Sequence, residues 1–387
     1  MNPILPSPRW RRQCRGFLGL LIAPTVLGSF TTAADTPPTL ALAAPPAPVV
    51  IAGSGTARLR IEALDDHIVR LWFKPAGEFS RPPSLAMAEA PVARIPLAVR
   101  EEGSATALGT PALAIRVDRA TLGFEVTSAA DGTPLLADAR IAAQTDRIAW
   151  SLAHRVAATE KLLGLGEDNE NTGRLDRRGT VRDLWAGQRI KSGNVTAQFP
   201  IPLLLSTGRN GHAYGVFYDN AHELRFDLAK TAPDEVRCDA PGGELDLYVI
   251  DGPRLADVVE RYTRLTGRPS LPPLWALGYW QSKCTFWDWA EIEETYQQLT
   301  QRGFPVDVLV IDADWPEIVN DYTWAKRWFG AGQTPADKIA DYARRGVRIV
   351  ISQSGPMIRR DSPSFASGWQ AGVFATDGHG HPVECGY

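Results

Sequence analysis

Two rhythms of apolar and polar residues divide the chain. From residue 51 to about 248, short apolar runs alternate with polar positions and are broken by Gly, Pro and Asp. The runs at 58–61, 68–73, 114–117, 122–126, 214–218 and 244–250 read as strands. Alternation is plain in Arg58-Leu59-Arg60-Ile61 and again in Glu244-Leu245-Asp246-Leu247-Tyr248. Asp131-Gly132 falls between two runs as a hairpin-type turn. No long amphipathic pattern interrupts the region, which predicts an antiparallel β-sandwich of about 200 residues.

Beyond residue 252 the period lengthens. Leu255, Val258, Val259 and Tyr262 recur at helical spacing, and Gly267 follows as a stop. After Pro272-Pro273, residues 275–279 read as a strand. Residues 289–302 read as a helix with Ile292, Tyr296 and Leu299 on one face. A buried strand at 306–311 (VDVLVI), a helix at 335–345 and a third strand at 347–352 (VRIVIS) complete the series. Near-continuous apolar strands alternating with helices mean a parallel sheet covered by helices. Strand, helix and spacing fit a Rossmann-like sheet or a (β/α)8 barrel equally.

The N-terminus changes the picture of where the chain works. Arg9, Arg11, Arg12 and Arg15 precede an apolar run at 17–30, and small residues lead to Ala41-Leu42-Ala43. This is the grammar of an export signal over 1–43, with Ala33-Ala34 as a second cleavage candidate. The apolar run falls short of the ~20 residues of a membrane span. Residues 44–50 (APPAPVV) form a stiff Pro/Ala linker. The formal charge of −3 offers no reason to expect nucleic acid or an anionic membrane as partner. Cys14 leaves with the signal, and Cys238, Cys284 and Cys385 are too few and too widely spaced for a disulfide framework or a zinc site. Twelve Trp suit stacking on sugar rings as well as core packing.

In parallel α/β domains ligands meet the carboxyl ends of the strands. The residues just past each strand are therefore the informative ones: Gln281, Ser282, Lys283 and Phe286 to Trp289; Asp312, Asp314 and Trp315; Gln353, Ser354 and Gly355. No glycine-rich phosphate loop follows any strand, which argues against a nucleotide. A carboxylate pair beside a Trp suits a polyhydroxyl ligand, although a strand-end acid can equally bond a helix N-terminus. Asp312, Asp314, Glu317 and Asp321 lack the Gly turn and closing Glu of a calcium loop. His379-Gly380-His381 reads as a glycine-rich loop rather than a metal pair.

Several of these stretches together resemble glycoside hydrolase family 31. Residues 271–282 (LPPLWALGYWQS) resemble the opening of that family's catalytic barrel. Arg302 to Val308 (RGFPVDV), followed by Ile311-Asp312-Ala313-Asp314-Trp315, resembles its second strand. Upstream, 164–167 (GLGE), 175–179 (LDRRG) and 214–220 (YGVFYDN) resemble motifs of its N-terminal sandwich, and 243–252 and 262–273 its junction into the barrel. The resemblance implies a multi-domain β plus α/β protein. A galactose-mutarotase-like sandwich (51–252) and a connecting helix and linker (253–273) lead into the first three βα units of a (β/α)8 TIM barrel (274–387).

The family's reaction is a retaining cleavage or transfer of α-linked glucosyl or xylosyl groups by two carboxylates about 5–5.5 Å apart. It implies an oligosaccharide or glycoside substrate, no metal and no organic cofactor, and a secreted or periplasmic enzyme whose oligomeric state is open. The family's nucleophile is an Asp after the fourth strand, and 383–387 (VECGY) resembles the approach to that strand. The chain is thus expected to be an incomplete enzyme, inactive alone, with neither catalytic residue assigned. A noncatalytic carbohydrate-binding protein is the alternative. What carries over is sugar binding: Asp312 as the acceptor of sugar hydroxyls, Trp315 beside it, and Asp183, Trp185 or Gln188 in 182–189 (RDLWAGQR), which resembles a sandwich loop that reaches over the active site. Gln353, Ser354 and Gly355 depart from the family pattern after the third strand, which leaves the sugar specificity open.

Overall fold

The computed structural model describes residues 46–79, 83–88, 94–145, 148–168, 175–185, 197–208, 211–318, 320–353 and 357–384. The expected export signal over 1–43, Gln188, Ser354, Gly355 and Cys385 lie outside the described residues. The chain forms two compact units, Met1–Tyr262 and Thr263–Tyr387.

The first unit is built on two antiparallel sheets. One has seven strands in the spatial order Val49–Ala52, Arg58–Asp65, Ile68–Lys74, Leu245–Asp251, Ala213–Tyr218, Leu203–Thr207 and Lys161–Gly164. The other has nine, running Thr180–Leu184, Leu224–Leu228, Glu235–Ala240, Ile148–Arg155, Pro134–Thr145, Phe124–Ser128, Leu113–Asp118, Ala105–Gly109 and Ala98–Glu102. A single core joins them: Leu59, Ile61, Val69 and Leu71 from the first meet Ile115, Val117, Val126, Phe226 and Leu228 from the second. Strand Leu113–Asp118 shows how the pattern works, burying Leu113, Ile115 and Val117 while Ala114 and Arg116 face water. Each such large aliphatic side chain contributes roughly 1.5–3 kcal/mol on burial. The Asp131-Gly132 turn is present: Gly132 has φ +71, and Ser128 N–H donates to Thr133 O at 2.8 Å.

Strands Ala213–Tyr218 and Leu245–Asp251 are buried at every residue, unlike the alternation expected around 244–250. Helix Leu255–Thr266 covers part of their outer side, with Val258 fully buried and Tyr262 edge-on to Phe217 at 5.3 Å. Asp246 is tolerated there because the Arg70 guanidinium grips it with two bonds, at 2.8 and 2.6 Å. A buried carboxylate demands such pairing. Burial acts most strongly, against the Arg70 charge, but the bond to Asp246 together with the charges of Asp246 and Glu62 outweighs it and holds the guanidinium pKa above its ordinary value.

The second unit carries three parallel strands, Trp280–Lys283, Val308–Ile311 and Arg348–Ile351, side by side in chain order. Residues 275–279 do not form the expected strand. Leu274–Leu277 close instead into one 3₁₀ turn, with Ala276 N–H donating to Pro273 O at 2.9 Å and Gly278 N–H to Trp275 O at 3.2 Å. Those bonds satisfy the backbone locally, so pairing begins only at Trp280. Helix Trp289–Gln301 starts at Asp288, whose carboxylate accepts Glu291 N–H at 2.8 Å, and Arg302 caps its end. Helix Pro335–Arg344 starts at Thr334 with Pro in its first turn. Helix Pro363–Gln370, capped by Ser362, went unanticipated because its small and polar residues show little apolar periodicity.

Candidate functional site

The sheet of the second unit has two chemically different faces. Leu309 and Ile311 belong to a core with Trp289, Ile292, Phe329 and Tyr342, so that face is the helix side. In-register pairing puts Trp280, Val308 and Arg348 in one row on the opposite face and Ser282, Val310 and Val350 in the next. Trp275 lies over the first row, 6.1 Å from the Trp280 ring and 5.8 Å from the Arg348 guanidinium. Alternation then carries Asp312, the residue after Ile311, to the face opposite that core at the carboxyl end of the central strand.

Asp312 is partly buried, and its Oδ1 accepts the N–H of Ala313 at 2.7 Å. Ala313 has φ +50, so the chain turns sharply at once. Among the described residues no protein group donates to Asp312 Oδ2, which leaves an acceptor open to a ligand. Asp314 is exposed and its Oδ2 is engaged by the Thr285 hydroxyl at 3.2 Å. Trp315 is 1% exposed and packs edge-on to Trp324 at 5.2 Å. Its Nε1–H donates to Ser352 O at 2.6 Å, which ties the second strand's mouth to the third's. The structure thus brings Asp312 and Trp315 together but spends the Trp315 faces on packing.

The loop from Pro316 to Trp324 doubles back on itself. Glu317 N–H donates to Thr323 O at 2.9 Å, and the Glu317 carboxylate accepts Lys326 N–H at 2.8 Å. Asp321 is 1% exposed and accepts the hydroxyls of Thr323 at 2.9 Å and Ser364 at 3.2 Å. Gln353 donates to Asn320 Oδ1 at 2.9 Å, a latch between the second and third loops that nothing in the sequence pattern announced. Asp312, Asp314, Glu317 and Asp321 each accept at least one protein donor. Among the described residues no group of three or more His, Cys, Asp or Glu is placed to hold a metal.

Asp307 is a further residue that sequence reasoning overlooked, although it stands inside a motif already singled out. Its Oδ2 accepts Tyr279 N–H at 3.0 Å, and a Cβ on Gly278 would lie only 2.0 Å from that oxygen. Glycine at 278 is therefore what lets the first strand meet the second. The sandwich candidates lie in the first unit. Asp183 sits on strand Thr180–Leu184 and pairs with Arg225 at 2.7 Å, while Trp185 just beyond is 43% exposed.

A sandwich leading into a parallel βα sheet, with a carboxylate at the central strand's mouth, is a layout suited to carbohydrate chemistry. Residues 58–227 match the domain described as the glycosyl hydrolase 31 N-terminal galactose mutarotase-like domain, and residues 269–386 match the glycosyl hydrolases family 31 TIM-barrel domain. The chain belongs to glycoside hydrolase family 31. It is 31% identical over 306 residues to alpha-glucosidase 2 of Bacillus thermoamyloliquefaciens, covering 76% of this chain and 37% of that protein. It is 32% identical over 225 residues to alpha-xylosidase XylQ of Lactiplantibacillus pentosus, covering 57% of this chain and 28% of that protein. The chain thus spans about a third of the length of these curated relatives. A solved family 31 dextranase of Flavobacterium johnsoniae, in complex with isomaltotriose, shares the fold with a TM-score of 0.69 at 23% identity, over 84% of this chain and 40% of the dextranase.

Proposed function

We propose that these residues form the sandwich and the first three βα units of the barrel of an exported, retaining α-glycosidase. Its substrates are α-linked glucosyl or xylosyl groups, hydrolysed or transferred without metal or organic cofactor. The observation that carries the reading is the Asp312 carboxylate: at the mouth of the central strand, on the face opposite the helix-side core, with one oxygen held by Ala313 and the other without a donor among the described residues. A carboxylate so placed accepts bonds from adjacent hydroxyls of a pyranose. Trp315 serves as the wall behind it, fixing the strand mouth through Ser352. Asp183, Trp185 and Gln188 enter the proposal on the family resemblance of their stretch alone.

Retaining cleavage needs a nucleophile and an acid/base about 5–5.5 Å apart. We assign neither role to Asp312 or Asp314, the first being a binder and the second engaged by Thr285. With both catalytic roles unassigned, the expected behaviour of residues 1–387 by themselves is sugar binding without turnover. Calorimetric titration with glucose and xylose should give binding that Asp312→Ala weakens about 10- to 100-fold, the value of a charge-assisted bond or two. Aryl α-glucosides and α-xylosides should stay intact. Turnover by the chain would overturn the assignment of roles, and undiminished binding by the variant would remove Asp312 from the site.

A further inference from the structure

The loop after the first strand holds an aromatic surface that the Asp312 site does not use. Trp287 is 47% exposed, yet its surroundings fix it firmly. Its backbone N–H donates to Glu291 Oε2 at 2.9 Å, and the same carboxylate pairs with the Lys283 ammonium. The next residue, Asp288, caps the helix that follows. On its other side the ring leans on Trp328, with centroids 5.0 Å apart and planes at 58°. Trp328 in turn packs against the helix-side core, and the Arg327 guanidinium lies 5.1 Å from its ring.

An exposed indole costs free energy in water, and one anchored at its backbone and resting on a second ring has already lost part of the motion that binding would otherwise freeze. Such a ring is pre-organised to receive a flat apolar partner. The charges around it narrow the choice. Lys283 is neutralised by Glu291, which leaves the Arg327 guanidinium as a fork of donors beside the aromatic pair. An aromatic face with a fork of hydrogen-bond donors beside it suits a polyhydroxyl ring, whose apolar face stacks while its hydroxyls accept. Trp287 and Trp328 leave the sheet by the loops after the first and second strands, at the same end as Asp312.

We propose that Trp287, backed by Trp328, is a stacking platform for a further pyranose ring, so that the substrate is an oligosaccharide engaging Asp312 with one ring and Trp287 with another. The inference rests on the reading of Asp312 as a sugar-binding residue. The test is calorimetric titration of the 387-residue chain with glucose, maltose, maltotriose and isomaltotriose, repeated with Trp287→Ala, Trp287→Phe and Asp312→Ala. The parent should bind at least one of the longer sugars more tightly than glucose. Trp287→Ala should abolish that advantage, about a three- to tenfold loss, and leave glucose binding unchanged, with Trp287→Phe in between. Asp312→Ala should weaken all four sugars. A chain-length advantage that survives Trp287→Ala, or equal loss for glucose, overturns the platform while the Asp312 reading stands. Absence of glucose binding in the parent overturns both. Self-association that disappears in Trp287→Ala would make the patch a contact between copies and likewise overturn it.

Discussion

His154 shows how far one enclosed side chain can govern solution behaviour. It lies on strand Ile148–Arg155 with no exposed surface, paired in register with Val236. Burial pushes its pKa down from 6.5 to about 4, outweighing a backbone contact at Arg155 that acts the other way. The unfolded chain therefore takes up a proton at this residue well before the folded one does. The full stability is present above pH 6.5 and declines as the pH falls toward 4, by on the order of 3 kcal/mol. Urea unfolding across that range should show the decline, and His154→Leu should flatten it. A profile unchanged by the substitution would place the pH sensitivity elsewhere.

Among elements, the meeting of the first two strands of the second unit rests on a carboxylate and the absence of a side chain. Asp307 holds Tyr279 N–H, and Gly278 leaves the space that its oxygen occupies. Gly278→Ala must push either the carboxylate or the strand aside. It should cost about 2–4 kcal/mol, read as a lowered urea midpoint at unchanged slope. Both residues stood in recognised motifs, but which partner each motif served was not legible, because residues 278 and 307 meet only after two elements have folded. The same limit hid the strand's true start. Trp275 to Tyr279 is as apolar as a strand, and only the bonds closed by Pro273 and Gly278 show that the chain curls first. The helices after the first two strands were legible, since Asp288 and Thr334 announce their own starts and local bonds suffice.

Across the whole chain, the two architectures were readable because their hydrophobic periods differ, 2 against 3.6 with apolar strands between. The interior of the sandwich was less so: the buried Asp246 lies within an alternating stretch and is neutralised by an Arg 176 residues away in sequence. Of the site, the position of Asp312 followed from counting past a strand, whereas the Asn320–Gln353 latch and the Trp287–Trp328 contact depend on loops that no period describes. The layering also sets a hierarchy of opening. Hydrogen exchange should be slowest in Ala213–Tyr218 and Leu245–Asp251, and fastest within the sandwich in the exposed strand Ala98–Glu102. In the second unit Val308–Ile311, paired on both sides, should outlast Arg348–Ile351. Uniform rates through either unit would contradict the layering.

Trp315 carries a consequence for anyone reshaping the cleft. One indole proton anchors the carbonyl of Ser352, a peg between the rims of two neighbouring strands that stands beside the Asn320–Gln353 latch. Phenylalanine at 315 would leave part of that buried space empty and let go of the third rim at Ser352, leaving Gln353 to its bond with Asn320. Because the acceptor is a main-chain oxygen, the tie survives a change of side chain at 352 but not the loss of the indole at 315.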